Sequence, residues 1–283
     1  MKTTNQILSA VVALAVIGIV VFLALGVAGP AFSTARLTAL VAQPTPPPGD
    51  VIPLEPISGL TSLNATVKVD VNGLINGKRA QGDLNALLTT NDQKKSRVTV
   101  SGSLLGEIAA QVGGSLVGLF TPSKVDLYKV PDGAYVVVNG LFPVCVKPDA
   151  AEATKALDEL SPSSMLNMLT GSDVARGKFV ADETLNGVPV KHYVIDGATF
   201  LTAAQNSTDP KLKEFGEALW SAKDADLYVD AKGGYPVAFR GNFSGAFEPL
   251  KFEGDFGVDI ELTGVNTNTR VDLPSSCNKP ISR

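Results

Sequence analysis

The sequence predicts an α+β fold that is mainly β: a curved antiparallel sheet with helices on its concave face, behind an N-terminal transmembrane or signal segment. Three observations predict it. Residues 7–29 are almost unbroken apolar sequence, runs of alternating apolar and polar residues recur between Asn-Gly and Pro-Asp-Gly turn signals, and helix-start signals cluster in the middle of the chain.

The apolar stretch from Ile7 to Gly29 is interrupted only by Ser9. At 1.5 Å per residue it spans about 34 Å, enough for a hydrocarbon core of about 30 Å. Lys2 makes residues 1–6 a positive cytoplasmic flank, so the rest of the chain is expected outside the cytoplasm. Two fates fit this leader: a retained anchor, or cleavage near Ala42. It contains no cysteine, so it offers no lipobox. Residues 30–55 form a spacer whose QPTPPPGD run, Gln43 to Asp50, is extended at about 3.1 Å per residue. Residues 56–283 are expected to fold as one extracytoplasmic domain.

Within that domain Thr66 to Val71 alternates strictly, with Val67, Val69 and Val71 on one face. Turn signals at Asn72-Gly73 and Asn76-Gly77 precede a strand from Gly82 to Thr90, a polar tip, and a strand in Arg97 to Gly102. Val125 to Val130 and Tyr135 to Asn139 flank Pro131-Asp132-Gly133; Lys178 to Ala181 and Val188 to Asp196 flank Asn186-Gly187. Asp226 to Asp230, Tyr235 to Phe243 and Lys251 to Leu262 complete a series of about nine or ten strands. Asp126-Leu127-Tyr128 with Tyr135 is echoed by Asp226-Leu227-Tyr228 with Tyr235, as two hairpins of like design.

Asp149 and Glu152 make a capping box for a helix to about Leu160. Ser161-Pro162 opens a second helix, ending at Gly171 and carrying Met165, Leu166, Met168 and Leu169. A third begins at Asp209-Pro210 and places Leu212, Phe215, Leu219 and Trp220 on one stripe, which must lie on the sheet. Leu104 to Phe120 is apolar but carries several glycines, which suits a broken helix or cover over the sheet.

The formal net charge is -4 and is spread along the chain, with Lys94, Lys95 and Arg97 the densest basic cluster, so no nucleic-acid footprint is present. Cys145 and Cys277 are the two cysteines, and in an oxidising compartment they are expected to pair. The single histidine, His192, sits within a strand on the face of Val190 and Val194 and reads as structural. There is no G-x-S-x-G elbow, no H-E-x-x-H and no calcium loop, so neither catalysis nor a metal or other cofactor is called for.

What remains is apolar surface. Helices over a curved sheet can leave an apolar cavity between the layers, here lined by Leu105, Ile108, Val112, Leu116, Phe120, Met165, Met168, Leu169, Phe215, Leu219 and Trp220. The same residues also suit a solid core.

The run Leu185 to Tyr193, LNGVPVKHY, and the later Asp226-Leu227-Tyr228-Val229-Asp230 followed by Gly233, Gly234 and Tyr235-Pro236-Val237, resemble the strand pairs of a bacterial lipoprotein-carrier superfamily. That LolA-like superfamily includes the outer-membrane lipoprotein chaperone and the mycobacterial lipoproteins that carry acylated glycolipids. The resemblance covers Ile57 to Leu273. It implies a half-barrel of antiparallel strands with helices over an apolar cavity, in a protein of the bacterial cell envelope that binds or transfers lipids or lipoprotein acyl chains. The chain departs from the mycobacterial members in lacking the lipobox cysteine. A second expectation is an extracytoplasmic sensor or scaffold that binds another envelope protein and has a solid interior.

Overall fold

The computed structural model describes residues 49–57, 62–91, 95–106, 123–140, 143–148, 169–170, 174–247, 251–267 and 269–282. The leader, the expected helix at 149–160, residues 162–168 of the expected helix that follows it, and residues 107–120 of the apolar stretch lie outside them; Leu169 and Thr170, which are described, form a turn. Among the described residues, no helix is long and apolar enough to cross a membrane.

The described chain is mainly β. In order its strands are β1 (Asp50–Val51), β2 (Leu63–Ile75), β3 (Lys78–Thr90), β4 (Ser96–Ser101), β5 (Lys124–Val130), β6 (Gly133–Asn139), β7 (Val144–Lys147), β8 (Arg176–Leu185), β9 (Val188–Ile195), β10 (Leu219–Ala222), β11 (Ala225–Asp230), β12 (Pro236–Phe247), β13 (Phe252–Val265) and β14 (Ile281–Ser282). They join one open sheet in the order β1-β8-β9-β11-β12-β13-β2-β3-β4-β5-β6-β7-β14, with β10 paired beside β12. Every pairing is antiparallel except β14 with β7.

The strict alternation around Val67 and Val69 is realised in β2, whose residues are buried and exposed in turn. Asn76-Gly77 and Asn186-Gly187 close the β2–β3 and β8–β9 hairpins with both central residues at positive φ, 52° and 72°, then 51° and 78°. That geometry matches the right-handed twist of the flanking strands, which is why Asn-Gly is the sequence signal for it. Asn72-Gly73 is not a turn, and β2 runs straight through it. A Cβ on Gly73 would strike the backbone of Glu253 and Gly254 on β13, so this glycine serves close strand approach.

Two helices that lie wholly within the described residues cover part of the sheet: α1 (Gly197–Gln205) and α2 (Pro210–Ala218). Asp196 caps α1 by accepting from the Thr199 amide and hydroxyl, and these bonds hold its carboxyl below the ordinary carboxylate range. Asp209 accepts from the Leu212 amide at the start of α2, with Pro210 as its first residue, as the sequence leads one to expect.

The core lies on the helix-bearing face of the sheet. Directly paired residues form one apolar row from β8 to β6: Phe179, Tyr193, Leu227, Phe239, Ile260, Val67, Ala86, Val100, Val125 and Val138. The outer face carries a second, smaller cluster in which Tyr128, Tyr135 and Val137 are covered by Val271 and Cys277 of the C-terminal tail. The Cys145–Cys277 disulfide fixes that tail to β7.

Candidate ligand-binding face

On the helix-bearing face, the expected lining residues separate into three groups. Leu105, Leu169, Phe215 and Leu219 are buried in the main core. Ile108, Val112, Leu116, Phe120, Met165 and Met168 lie outside the described residues. Trp220 is elsewhere: α2 ends at Ala218, and Leu219 and Trp220 belong to β10. The pairing of β10 with β12 is irregular between Leu219 and Ser221, and at this bulge Trp220 is 53% exposed. Helical spacing therefore ran one turn too far. The strand alternation that begins at Leu219 sends the next side chain away from the core.

Beneath α1 and α2 lies a cluster of aromatic rings. Phe215 of α2 packs on Phe200 of α1 and on Phe243, Phe247 and Phe256 of the sheet, with ring centres 5.4–6.4 Å apart. Phe239 and Phe252 extend the cluster at each end. Offset and edge-on pairs at such separations contribute roughly 0.5–1.5 kcal/mol each beyond their burial.

The outer face of β8, β9 and β11 to β13 carries a polar ladder. His192 Nδ1 lies 2.9 Å from Glu183 Oε1 and its Nε2 lies 2.8 Å from Asp226 Oδ1, while its ring stacks on Tyr228 at 4.5 Å. Arg240 sits over the other part of this group, 5.2 Å from the Tyr228 ring centre, and donates to Glu261 at 3.0 Å. Burial pushes the Asp259 carboxyl up, against the opposing charge and hydrogen bond of Arg240. Among the described residues no serine, threonine or cysteine is bonded to His192, so no nucleophile–base pair is formed at it.

The echoed sequence on β5 builds a related group. Asp126 is almost fully buried and accepts from Thr99 at 2.6 Å, from Arg97 at 2.8 Å and from Asn139 at 2.8 Å, with Arg97 5.4 Å from the Tyr128 ring centre. Both hairpins thus set an arginine from a neighbouring strand over the tyrosine of Asp-Leu-Tyr. Burial opposes ionisation of Asp126, but the bonds from Thr99 and Arg97 and the charges of Arg97 and Lys124 outweigh it and lower its pKa.

A lowered folded-state pKa means stability that is present above the ordinary carboxylate range and lost as pH falls through the depressed value. Asp126→Asn is accordingly expected to cost about 1–3 kcal/mol at neutral pH. The gap from the parent, read as urea midpoints, should close as acid protonates Asp126. A gap independent of pH would show that the ionised form is not what stabilises.

No protein-family model matches the sequence, and no curated protein matches it. Among solved structures the chain is similar to a DUF1329 family protein from Desulfovibrio piger, at 10% identity and a TM-score of 0.22 over 76% of this chain and 89% of that one. It is also similar to an outer-membrane lipoprotein-sorting protein domain from Vibrio parahaemolyticus, at 8% identity and a TM-score of 0.20 over 76% and 88%. PNGF-II matches at 10% identity and a TM-score of 0.23 over 77% of this chain but only 31% of its own length. Likenesses this loose carry no ligand, partner or site residue across.

Proposed function

We propose that this chain is a membrane-tethered, non-enzymatic protein of the cell envelope that binds or transfers lipids or lipoprotein acyl chains against the helix-bearing face of its sheet. One observation carries the reading: the apolar row crosses ten strands, from Phe179 on β8 to Val138 on β6. At about 4.8 Å between strands it is roughly 43 Å wide. Two helices of about 10–12 Å diameter cover at most about 24 Å of it. Among the described elements, α1 and α2 make their main sheet contacts with β10 and β12. Val98, Val100, Val125 and Leu127 lie several strands away.

The apolar segments that include Ile108 to Phe120 and Met165 to Leu169 are the proposed cover, with an acyl chain held between them and β3 to β6. About 15 buried methylenes supply about 12 kcal/mol before ordering costs. The disulfide between Cys145 and Cys277 supports an oxidising compartment. Residues 7–29 are the proposed anchor and residues 30–55 the spacer that sets the domain's reach.

The test is organic-solvent extraction of the purified full chain with mass spectrometry, together with uptake of a fluorescent fatty acid. Co-purified lipid and saturable uptake are expected. Finding neither would favour the second reading, an envelope sensor or scaffold with a solid interior. That alternative draws its support from the phenylalanine cluster that packs against Phe215.

A further inference from the structure

We propose that the outer face of the sheet carries a carbohydrate-binding groove, separate from the acyl site, with Trp220 as the aromatic platform at its margin. The groove has a volume of about 730 Å³ and lies over β2, β3, β12 and β13, with Ser221 and Lys223 on one side. Strand register builds its floor as two polar rows. Asn242, Gly257, Asp70 and Asp83 form one; Ser244, Asp255, Asn72 and Gln81 form the other.

Three features of this grid select the ligand class. First, the side-chain amides of Asn72, Gln81 and Asn242 have no hydrogen-bond partner among the described residues. An amide donates and accepts at once, which is what a hydroxyl that does both requires. Second, the charges nearly balance, with Lys68 and Lys223 against Asp70, Asp83 and Asp255, and Lys68 is already paired with Asp70 at 3.0 Å. No group of three or more acidic, histidine or cysteine side chains among the described residues is placed to hold a metal. A neutral, hydroxyl-rich molecule fits this lining better than an anion or a cation. Third, Gly257 carries no side chain in the middle of the first row, between Asn242 and Asp70, which leaves the floor low enough there for a sugar ring to lie on the backbone.

Trp220 supplies the independent observation. It is half-exposed on a bulge one residue before Ser221, which lines the groove, and it takes no part in the aromatic core. A tryptophan contributes a large rigid apolar surface with a polar edge, so leaving it in solvent forgoes burial that the core would otherwise provide. A ring-stacking role at the end of the groove accounts for that placement.

Trp220 is the only tryptophan in the chain, so its fluorescence reports on this site alone. The experiment titrates the full chain, in a non-glycosidic detergent, with chitotetraose, cellotetraose and maltotetraose, following emission and heat. At least one sugar is expected to give a saturable emission change. Asn242→Ala and Gln81→Ala should each weaken that binding roughly tenfold, about 1.4 kcal/mol, without lowering the melting temperature. Absence of saturable emission or heat change with all three sugars at millimolar concentration overturns the proposal, as does binding that survives both substitutions unchanged. Fatty-acid uptake is measured separately, so loss of one activity leaves the other readable.

Discussion

Replacing Cys145 and Cys277 with serine is expected to destabilise the domain by up to about 5 kcal/mol, the chain-entropy value for closing a loop of 132 residues. Both cysteines of the chain are in it, so it is the one disulfide the chain can form with itself. The disulfide also holds the tail over Tyr128, Tyr135 and Val137, the only apolar cluster among the described residues on the outer face. Freed, the tail keeps the two-residue β14 pairing with Val146 and Lys147, its packing through Val271 and Leu273, and the hydrogen bond of Asn64 to Thr269. Each single variant should match the double, because either removes the same bond. Urea unfolding of the parent with and without reductant provides the control. Equal midpoints for parent and double variant would mean that sheet pairing alone fixes the tail.

Strands were the legible part of this fold. Alternation around Val67 and Val69 and the Asn-Gly pairs at 76–77 and 186–187 are local signals, and each became the expected strand or hairpin. Helix α1 left a weaker trace. Its buried side is made of Gly197, Thr199, Phe200, Ala203 and Ala204, too small and too polar to read as an apolar stripe. Its one clear sign was Asp196 three residues before Thr199. Trp220 was misplaced because Leu212, Phe215 and Leu219 keep helical spacing across a helix end that no glycine or proline marks. Of the expected cavity lining, only Leu105, Leu169, Phe215 and Leu219 come together in the described core. Phe215 meets other rings there, because long-range pairing brings β12 and β13 beneath it. The outer groove was illegible for a similar reason: its rows join two hairpins, β2–β3 and β12–β13, that are far apart in sequence.

Phe243→Ala is expected to cost about 3–5 kcal/mol, the range for removing a large aromatic side chain from a packed core. The reason is visible in the spacing of Phe239, Phe243 and Phe247 along β12. Gly241 stands between the first two on the same face, and a Cβ there would strike the Phe243 ring and crowd that of Phe239, so the rings close over the glycine. Phe243 then meets Phe200 and Phe215 from the helices and Phe256 from β13, and is 3% exposed. Truncation leaves a hole bounded by those three rings and by Phe239, which cannot all collapse into it. Phe179→Ala at the open edge, where the ring is 53% exposed, should cost about 1 kcal/mol or less. Denaturant midpoints at unchanged slope measure both. The comparison also divides the sheet functionally. A large loss at Phe243 with fatty-acid uptake intact places the acyl site under the other half of the sheet, toward β4 and β5. A loss below about 1.5 kcal/mol at Phe243 would mean that its surroundings are already loose, and would bring the ligand space back beneath α1 and α2.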